Sequence, residues 1–336
     1  MAATKTYLTG IQTSGMPHLG NYYGAIQPAL AAAESNDTLY FLADYHSLNS
    51  VKEPAKLRED VRSVAATWLA CGLDPERTVL YRQSSVPEVF ELATVLASVT
   101  AKGLMNRAHA YKAARDRNEA AGGTELDAGI NMGLFNYPIL MAADILVMET
   151  DVVPVGRDQA QHIEYTADIA RAFNHLYGES YSFPVPEGAY PEGTGSILPG
   201  VDGRKMSKSY DNHIPLFMPE NRLKKLVRRI PTDSTPVEEP KDPDSSVPFQ
   251  LLAYLGGAER ADGIRKRLEA GGMGWGELKN ELFDEINGRF GPMRERYEQL
   301  VAPGSELDDI LAAGAARARV RAAATMAKVR RAVGID

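Results

Sequence analysis

Cysteine is almost missing from this chain. Cys71 is the single one among 336 residues, which excludes an internal disulfide and any cluster of thiolate metal ligands and fits a reducing compartment. Its neighbours Trp68, Leu69 and Ala70 give it the setting of a buried helix end. No run of about 18 apolar residues is present to cross a bilayer, and Met1 to Thr6 carries no apolar stretch of the secretion-signal kind. A cytosolic protein with no membrane partner is expected. Excess positive charge is lacking too, since 37 Lys and Arg against 44 Asp and Glu leave a formal charge of −7. Phosphate contacts depend on local fields rather than on net charge, so the basic residues have to be located one by one. With 44% hydrophobic residues, the chain can bury an ordinary core, enough for a large domain and a smaller one.

Strand and helix signals alternate through the first part of the chain. Thr6-Tyr7-Leu8-Thr9 reads as a strand running into a glycine-rich loop, followed by a helical pattern from Asn21 to about Ser35. Thr38 to Leu42 is a second strand. Leu57, Val61, Val64, Ala65, Trp68 and Leu69 then recur at helical spacing, Thr78 to Arg82 is a third strand, and Pro87 opens another helix. This alternation predicts an α/β fold: a doubly wound parallel sheet, Rossmann-like, with helices on both faces. From Ala101 to about Gly129 the text turns polar and basic, with Lys102, Arg107, Lys112, Arg115 and Arg117, and an insertion over about 101–150 is expected. The helical pattern resumes at Pro138, breaks at Val153-Pro154-Val155-Gly156, and continues from about Asp158 to Asn174. Past Asn212 strand signals stop. The expected division is an α/β domain over 1–210 and an all-helical domain over 211–336. Within the helical part, Leu223, Leu226, Val227 and Ile230 line one side of a helix with Lys224, Lys225 and Arg228 on the other. Arg317, Arg321, Lys328 and Arg331 share roughly one face of a C-terminal helix. That face either tracks a phosphate backbone or is simply solvated.

Two loops carry the chemistry. In the first, Gly10, Gly15 and Gly20 sit where strand meets helix, and glycine lets backbone approach phosphates closely. Asn21 would lie at a helix N-terminus, where the macrodipole favours an anion. His18 either donates to a phosphate oxygen or is a loop histidine; its spacing in His18-Leu19-Gly20-Asn21 and the lysine turn downstream favour the first. The second loop is Lys205-Met206-Ser207-Lys208-Ser209, two ammonium groups and two hydroxyls on a turn that Gly203 can hinge. Attack of a carboxylate on the α-phosphate of ATP builds charge on the leaving pyrophosphate, and positioned cations lower that barrier.

A third element sets the substrate. Proline at a first helical position would start a helix at Pro138, and spacings of four and three put Tyr137, Met141 and Asp144 on one stripe. A carboxylate among apolar neighbours needs a donor. An indole N–H, which only donates, would satisfy Asp144 with its ring on Met141; a paired core aspartate fits the spacing equally well. Asp158 and Gln159, after Gly156-Arg157, could hold a ribose hydroxyl and an ammonium group or simply cap a helix. His46 ends the second strand at the sheet edge where ligands bind. No cluster of metal ligands appears, and any Mg²⁺ would arrive with ATP.

With these residues in view, the chain resembles the bacterial tryptophanyl-tRNA synthetases, a family of class I aminoacyl-tRNA synthetases. The resemblance covers nearly the whole length. It rests on Thr9-Gly10-Ile11-Gln12, His18-Leu19-Gly20-Asn21, Tyr137 to Asp144, Val153 to Gln159, the lysine turn and Thr232-Asp233-Ser234. It implies activation of L-tryptophan with ATP and Mg²⁺, transfer to tRNA, catalysis by 1–210, tRNA anticodon binding by 211–336, and a homodimer joined through the insertion. By position it implies Asp144 as indole acceptor, Tyr137 and Gln159 near the ammonium group, and His46 and Met141 around the ring. Gly10, Ile11, Gln12, Gly20, Asn21, Gly156, Arg157, Asp158 and Ile197 would meet ATP together with Lys205, Met206, Ser207, Lys208 and Ser209; His18, Lys205 and Lys208 would be catalytic. Three places depart from the family's commonest text: Arg157 replaces a glutamate, Pro17-His18 replaces Thr-Ile, and Ala108 to Lys112 lacks a Gln-Phe-Lys run. A tyrosyl-tRNA synthetase is the nearest rival enzyme, and a paralogue that binds tRNA or tryptophan without catalysis is the rival from another class. Retention of His18, Lys205 and Lys208 argues against the paralogue.

Overall fold

The computed structural model describes residues 5–13, 15–190 and 198–335. Five parallel strands form one sheet, β1 (Thr6–Ile11), β2 (Asp37–Leu42), β3 (Val79–Arg82), β4 (Val152–Pro154) and β5 (Glu187–Ala189), in the order β3-β2-β1-β4-β5. β1 and β2 are in register from Thr6 opposite Asp37 to Ile11 opposite Leu42. The chain therefore starts at the centre, winds to one edge, and returns to build the other side. The reversal falls between β1 and β4, and the crevice at the carboxyl ends of these strands is where such sheets bind ligands.

After β1 the chain turns into a helix made of Leu19–Asn21, a π-helical stretch Tyr22–Ile26, and Gln27–Ala33. Pro28 has no N–H to offer four residues back, and the widened turn ahead of it accommodates that loss. The helices Pro54–Ala70 and Glu88–Val99 follow β2 and β3. The basic insertion folds as Lys102–Met105 and His109–Ala120 before the long helix Met132–Val147. That helix does not begin at Pro138, as its sequence implies. Asn131 caps it, accepting from the Leu134 N–H at 2.9 Å, and Pro138 sits in its interior. The strong cap and the apolar face extend the helix past the one backbone bond that proline removes. Ala160–Tyr177 completes the layer on that face.

Beyond Asn212 the elements among the described residues are helices joined by loops: Glu220–Arg229, Val247–Ala270 with a kink at Gly257, Trp275–Val301 and Leu307–Val333. The first three share one apolar core with Pro54–Ala70, through Leu223, Leu251, Leu282 and Phe290. The last helix runs back across the sheet instead. Ala315, Ala318, Ala322, Met326 and Val329 join the core of the Glu88–Val99 and Met132–Val147 helices. Gly314 lies so close to β3 that a Cβ there would stand 1.8 Å from the Leu80 carbonyl oxygen. This approach turns the helix's cations toward the nucleotide body. Arg317 donates to the Pro75 carbonyl at 2.7 Å, Arg321 pairs with Asp37, and Lys328 reaches Glu149 at 2.9 Å. Three of the four cations on the face that the sequence leaves as either tracking a phosphate backbone or simply solvated are thus engaged within the fold.

Candidate functional site

The aromatic end of the site is built on Asp144, in the middle of the Met132–Val147 helix and 2% exposed. Both of its oxygens accept from Gln83 Nε2 at 2.9 Å, and His46 Nε2 lies 3.0 Å from Oδ2. Burial raises the Asp144 carboxyl above its ordinary value, while His46 and Gln83 oppose that shift. Gln83 is fixed in turn, since its Oε1 accepts from the Tyr45 N–H at 3.1 Å. Asp44 accepts from the Ser84 N–H at 3.0 Å, tying the turn after β2 to the turn after β3. The His46 ring stands 4.7 Å from Tyr137 and the Tyr137 ring 5.0 Å from His162, both edge-on. His46, Tyr137 and Asp144, which the sequence singled out, are brought together here. The sequence did not single out Gln83, whose signal was its position directly after a strand, at the carboxyl edge of the sheet.

The polar end opens on the other side of β1. A cavity of about 380 Å³ is lined by Gly10, Ile11, Gln12, Asn21, Gly156 and Lys208 among others. A cleft of about 720 Å³ is lined by His18, Gly20, Asn21, Lys205, Met206, Ser207 and Ser209, with Tyr254 from the helical part. Asn21 borders both spaces and its Oδ1 accepts from the His18 N–H at 3.0 Å. A Cβ on Gly20 would come within 3.0 Å of the His18 ring, so this position keeps the imidazole in place by having no side chain. His18 is pushed down to about 4 by burial, by His213 and by Lys208, which leaves it neutral at physiological pH. Its Nδ1 is buried and has no protein partner.

Backbone bonds join the His18 loop to the segment that follows the lysine turn. Leu19 N–H donates to Ile214 O at 3.0 Å and Leu216 N–H to Pro17 O at 2.9 Å. Met206 is 4% exposed in the core between the two lysines, so it anchors the turn while Lys205 and Lys208 stay at the surface of the spaces above. Asn212, which the sequence did not single out, shapes the turn: its Oδ1 accepts from Ser207 N–H at 2.8 Å and its Nδ2 donates to Asp202 at 2.7 Å and to Lys205 O at 3.1 Å. Lys208 Nζ reaches the Gly15 carbonyl at 3.4 Å. Burial holds Lys208 below its ordinary value, with Asp60 opposing and Lys56 adding to the effect.

The remaining expected residues fall in three groups. Gln159 closes a 3₁₀ turn, its N–H donating to Gly156 O at 2.9 Å. Arg157 is exposed on the same turn, and Met141 packs half-buried against the core of its face of the sheet. Ile197 and the side chain of Asp158 lie outside the described residues. Among the described residues, no group of three or more His, Cys, Asp and Glu is arranged to hold a metal ion.

A doubly wound parallel sheet with a glycine-rich loop, an N-terminal helix and a lysine turn across the same crevice defines a nucleotide-binding α/β protein. The chain belongs to the class I tRNA synthetases of the tryptophan and tyrosine group, which it matches over residues 3–291. It is 52% identical to a tryptophan–tRNA ligase of Pseudomonas aeruginosa over 99% of this chain and 74% of that protein, and 50% identical to one of Xanthomonas axonopodis pv. citri over 99% and 77%. Among solved structures it resembles a tryptophanyl-tRNA synthetase from Campylobacter jejuni complexed with ADP and tryptophan, with a TM-score of 0.88 and 40% identity over 98% of this chain and 99% of that one. A Mycoplasma pneumoniae tryptophanyl-tRNA synthetase matches with a TM-score of 0.73 and 27% identity over 99% and 98%.

Proposed function

We infer that this chain is an ATP-dependent tryptophan–tRNA ligase. The observation that carries the assignment is the buried Asp144 carboxylate, held by Gln83 and His46, in a sheet whose first loop, with His18, is bonded to the segment that follows the turn of Lys205 and Lys208. In the first step a tryptophan carboxylate oxygen attacks the α-phosphorus of ATP, the bond to the β-phosphate breaks, and pyrophosphate leaves. In the second, a terminal ribose hydroxyl of tRNA attacks the adenylate carbonyl and AMP leaves.

Asp144 accepts the indole N–H, with His46 and Met141 around the ring and Tyr137 and Gln159 near the ammonium group. Gly10, Ile11, Gln12, Gly20, Asn21, Gly156, Asp158 and Ile197 hold ATP. Lys205 and Lys208 meet the charge that develops on the leaving phosphates. The buried, unpartnered Nδ1 of His18 supports a role for it toward a phosphate oxygen. Mg²⁺ would come with ATP, held mainly by phosphates and water, and would neutralise charge on the triphosphate.

The working unit is a homodimer in the cytoplasm. Met132 is 64% exposed, at the start of the helix that follows the insertion, and Tyr45 and Leu48 are exposed at 42% and 47% beside the Gly133–Asn49 contact. That apolar group supports a covered surface there. No helix among the described residues is long and apolar enough to cross a membrane.

The test is ATP–pyrophosphate exchange with each of the twenty amino acids, without tRNA. Exchange with tryptophan alone is expected. Exchange with tyrosine and not tryptophan, or tryptophan binding with no exchange in folded protein, overturns the assignment.

A further inference from the structure

The Glu220–Arg229 helix carries Arg222, Lys224, Lys225, Arg228 and Arg229 in 10 residues, with Glu220 its single acid. All five cations are exposed. Leu223, Val227 and the following Ile230 are buried at 2% or less and fix the opposite face in the core. Among the described residues, no ion pair takes up any of the five. Three acids of the Trp275–Val301 helix beneath are committed to other cations: Glu277 pairs with Arg267, Glu281 with Arg260, and Glu285 with Arg260 and Arg289. Lys224 alone has a further partner, lying 5.3 Å over the Phe283 ring. Lys279 adds positive charge where the helix ends, donating to Arg228 O and Thr232 Oγ1 at 3.3 Å.

This is the reverse of the C-terminal helix, where Arg317, Arg321 and Lys328 are tied to the nucleotide body. In a protein of formal charge −7, a rigid face with five unneutralised cations sets up a local positive field. Three of the five are arginines, whose planar fork matches a phosphate. A lipid surface fits poorly, because an interfacial helix inserts its apolar side and here that side is buried in the protein.

We propose that the outer face of the Glu220–Arg229 helix holds the phosphate backbone of the tRNA. The proposal rests on the ligase assignment. The helix begins shortly after the Ile214–Leu216 segment that is bonded to the His18 loop, so an RNA backbone held there is registered against the nucleotide site.

The experiment measures binding of a tRNA(Trp) transcript to the full chain as a function of KCl. It compares wild type with Arg222→Gln/Lys225→Gln/Arg228→Gln/Arg229→Gln and with Arg228→Gln alone. Removing one cation from a phosphate lowers the slope of log K against log salt by about 0.7–0.9. A drop of about 3 is expected for the fourfold variant, with binding weaker by about tenfold or more, and a drop of about 0.7–0.9 for the single one. Tryptophan-dependent exchange without tRNA stays at the wild-type level in both variants, which checks their folding. Wild-type slopes in both variants overturn the proposal. So does loss of co-sedimentation with phosphatidylglycerol vesicles in the fourfold variant when its tRNA slope is unchanged, which would make the face a lipid surface. Absence of exchange in the wild type is a separate failure, that of the ligase assignment itself.

Discussion

Around Asp144 both carboxylate oxygens are buried and already paired with Gln83 Nε2 and His46 Nε2, in a network with the turns after β2 and β3, and only His46 Nδ1 is left without a protein partner there among these groups. Around the lysine turn, Lys205 is exposed, Lys208 holds a long hydrogen bond to a carbonyl, and His18 Nδ1 has no protein partner. On the proposed assignment the difference follows from what each end would meet. An indole offers one weak donor on a large apolar body, so discrimination requires an acceptor aimed in advance and shielded from water. A triphosphate brings several negative charges, which cations placed around its crevice can meet. The aromatic end is therefore preformed, and the phosphate end is a set of cations held apart by backbone and by Met206.

The largest effect is expected at the preformed end. Asp144→Ala removes the acceptor and strands Gln83 and His46, and the preference for tryptophan over phenylalanine in exchange should fall by about 10⁴. A preference kept within about tenfold would mean that Asp144 is only a core aspartate. At the phosphate end, Lys208→Ala should slow adenylate formation by about 10²–10³ and leave tryptophan binding unchanged. Parallel loss of binding and rate would assign Lys208 a structural role and erase the contrast between the two ends.

Gly20→Ala is a finer probe. Its Cβ would press on the His18 ring at 3.0 Å, an overpacking that costs about 1–3 kcal/mol. The KM for ATP should rise about tenfold on that scale, with the KM for tryptophan unmoved; equal rises in both would show that the ends are not independent.

The smallest effect concerns pH. His18 titrates at about 4 in the fold against an ordinary 6.5, so the fold favours the neutral ring. The stability linked to it is complete above about pH 6.5 and is lost as pH falls from 6.5 toward 4, because the unfolded chain takes up the proton first. His18→Gln should flatten the fall of the urea midpoint between about pH 7 and 5. An unchanged fall would place the responsible group elsewhere.

Much of the site was legible because its parts are local. Glycines after β1, histidine before a helix and paired lysines on one turn are short strings whose chemistry does not depend on distant residues. The α/β alternation was legible for the same reason, since periodicity reports on one element at a time. The start of the Met132–Val147 helix was misread at Pro138, because a proline signal is strong locally and the Asn131 cap further upstream outweighed it. Gln83 and Asn212 left no periodic or motif signal. Their importance comes from partners 61 residues away at Asp144 and 10 away at Asp202.

The sequence by itself determined which residue types stand on each strand, loop and helix face, and hence the nucleotide fold, the two loops and the candidate acceptor. Tertiary structure alone decided which charges remain available. Arg321 meets Asp37 across 284 residues of chain because Gly314 and its alanines let the last helix settle against β3, whereas the Glu220–Arg229 cations face outward over acids that other arginines have taken. Helical spacing places cations on a common face; only packing brings them within reach of an acid, and the attraction weakens with distance and with exposure to water.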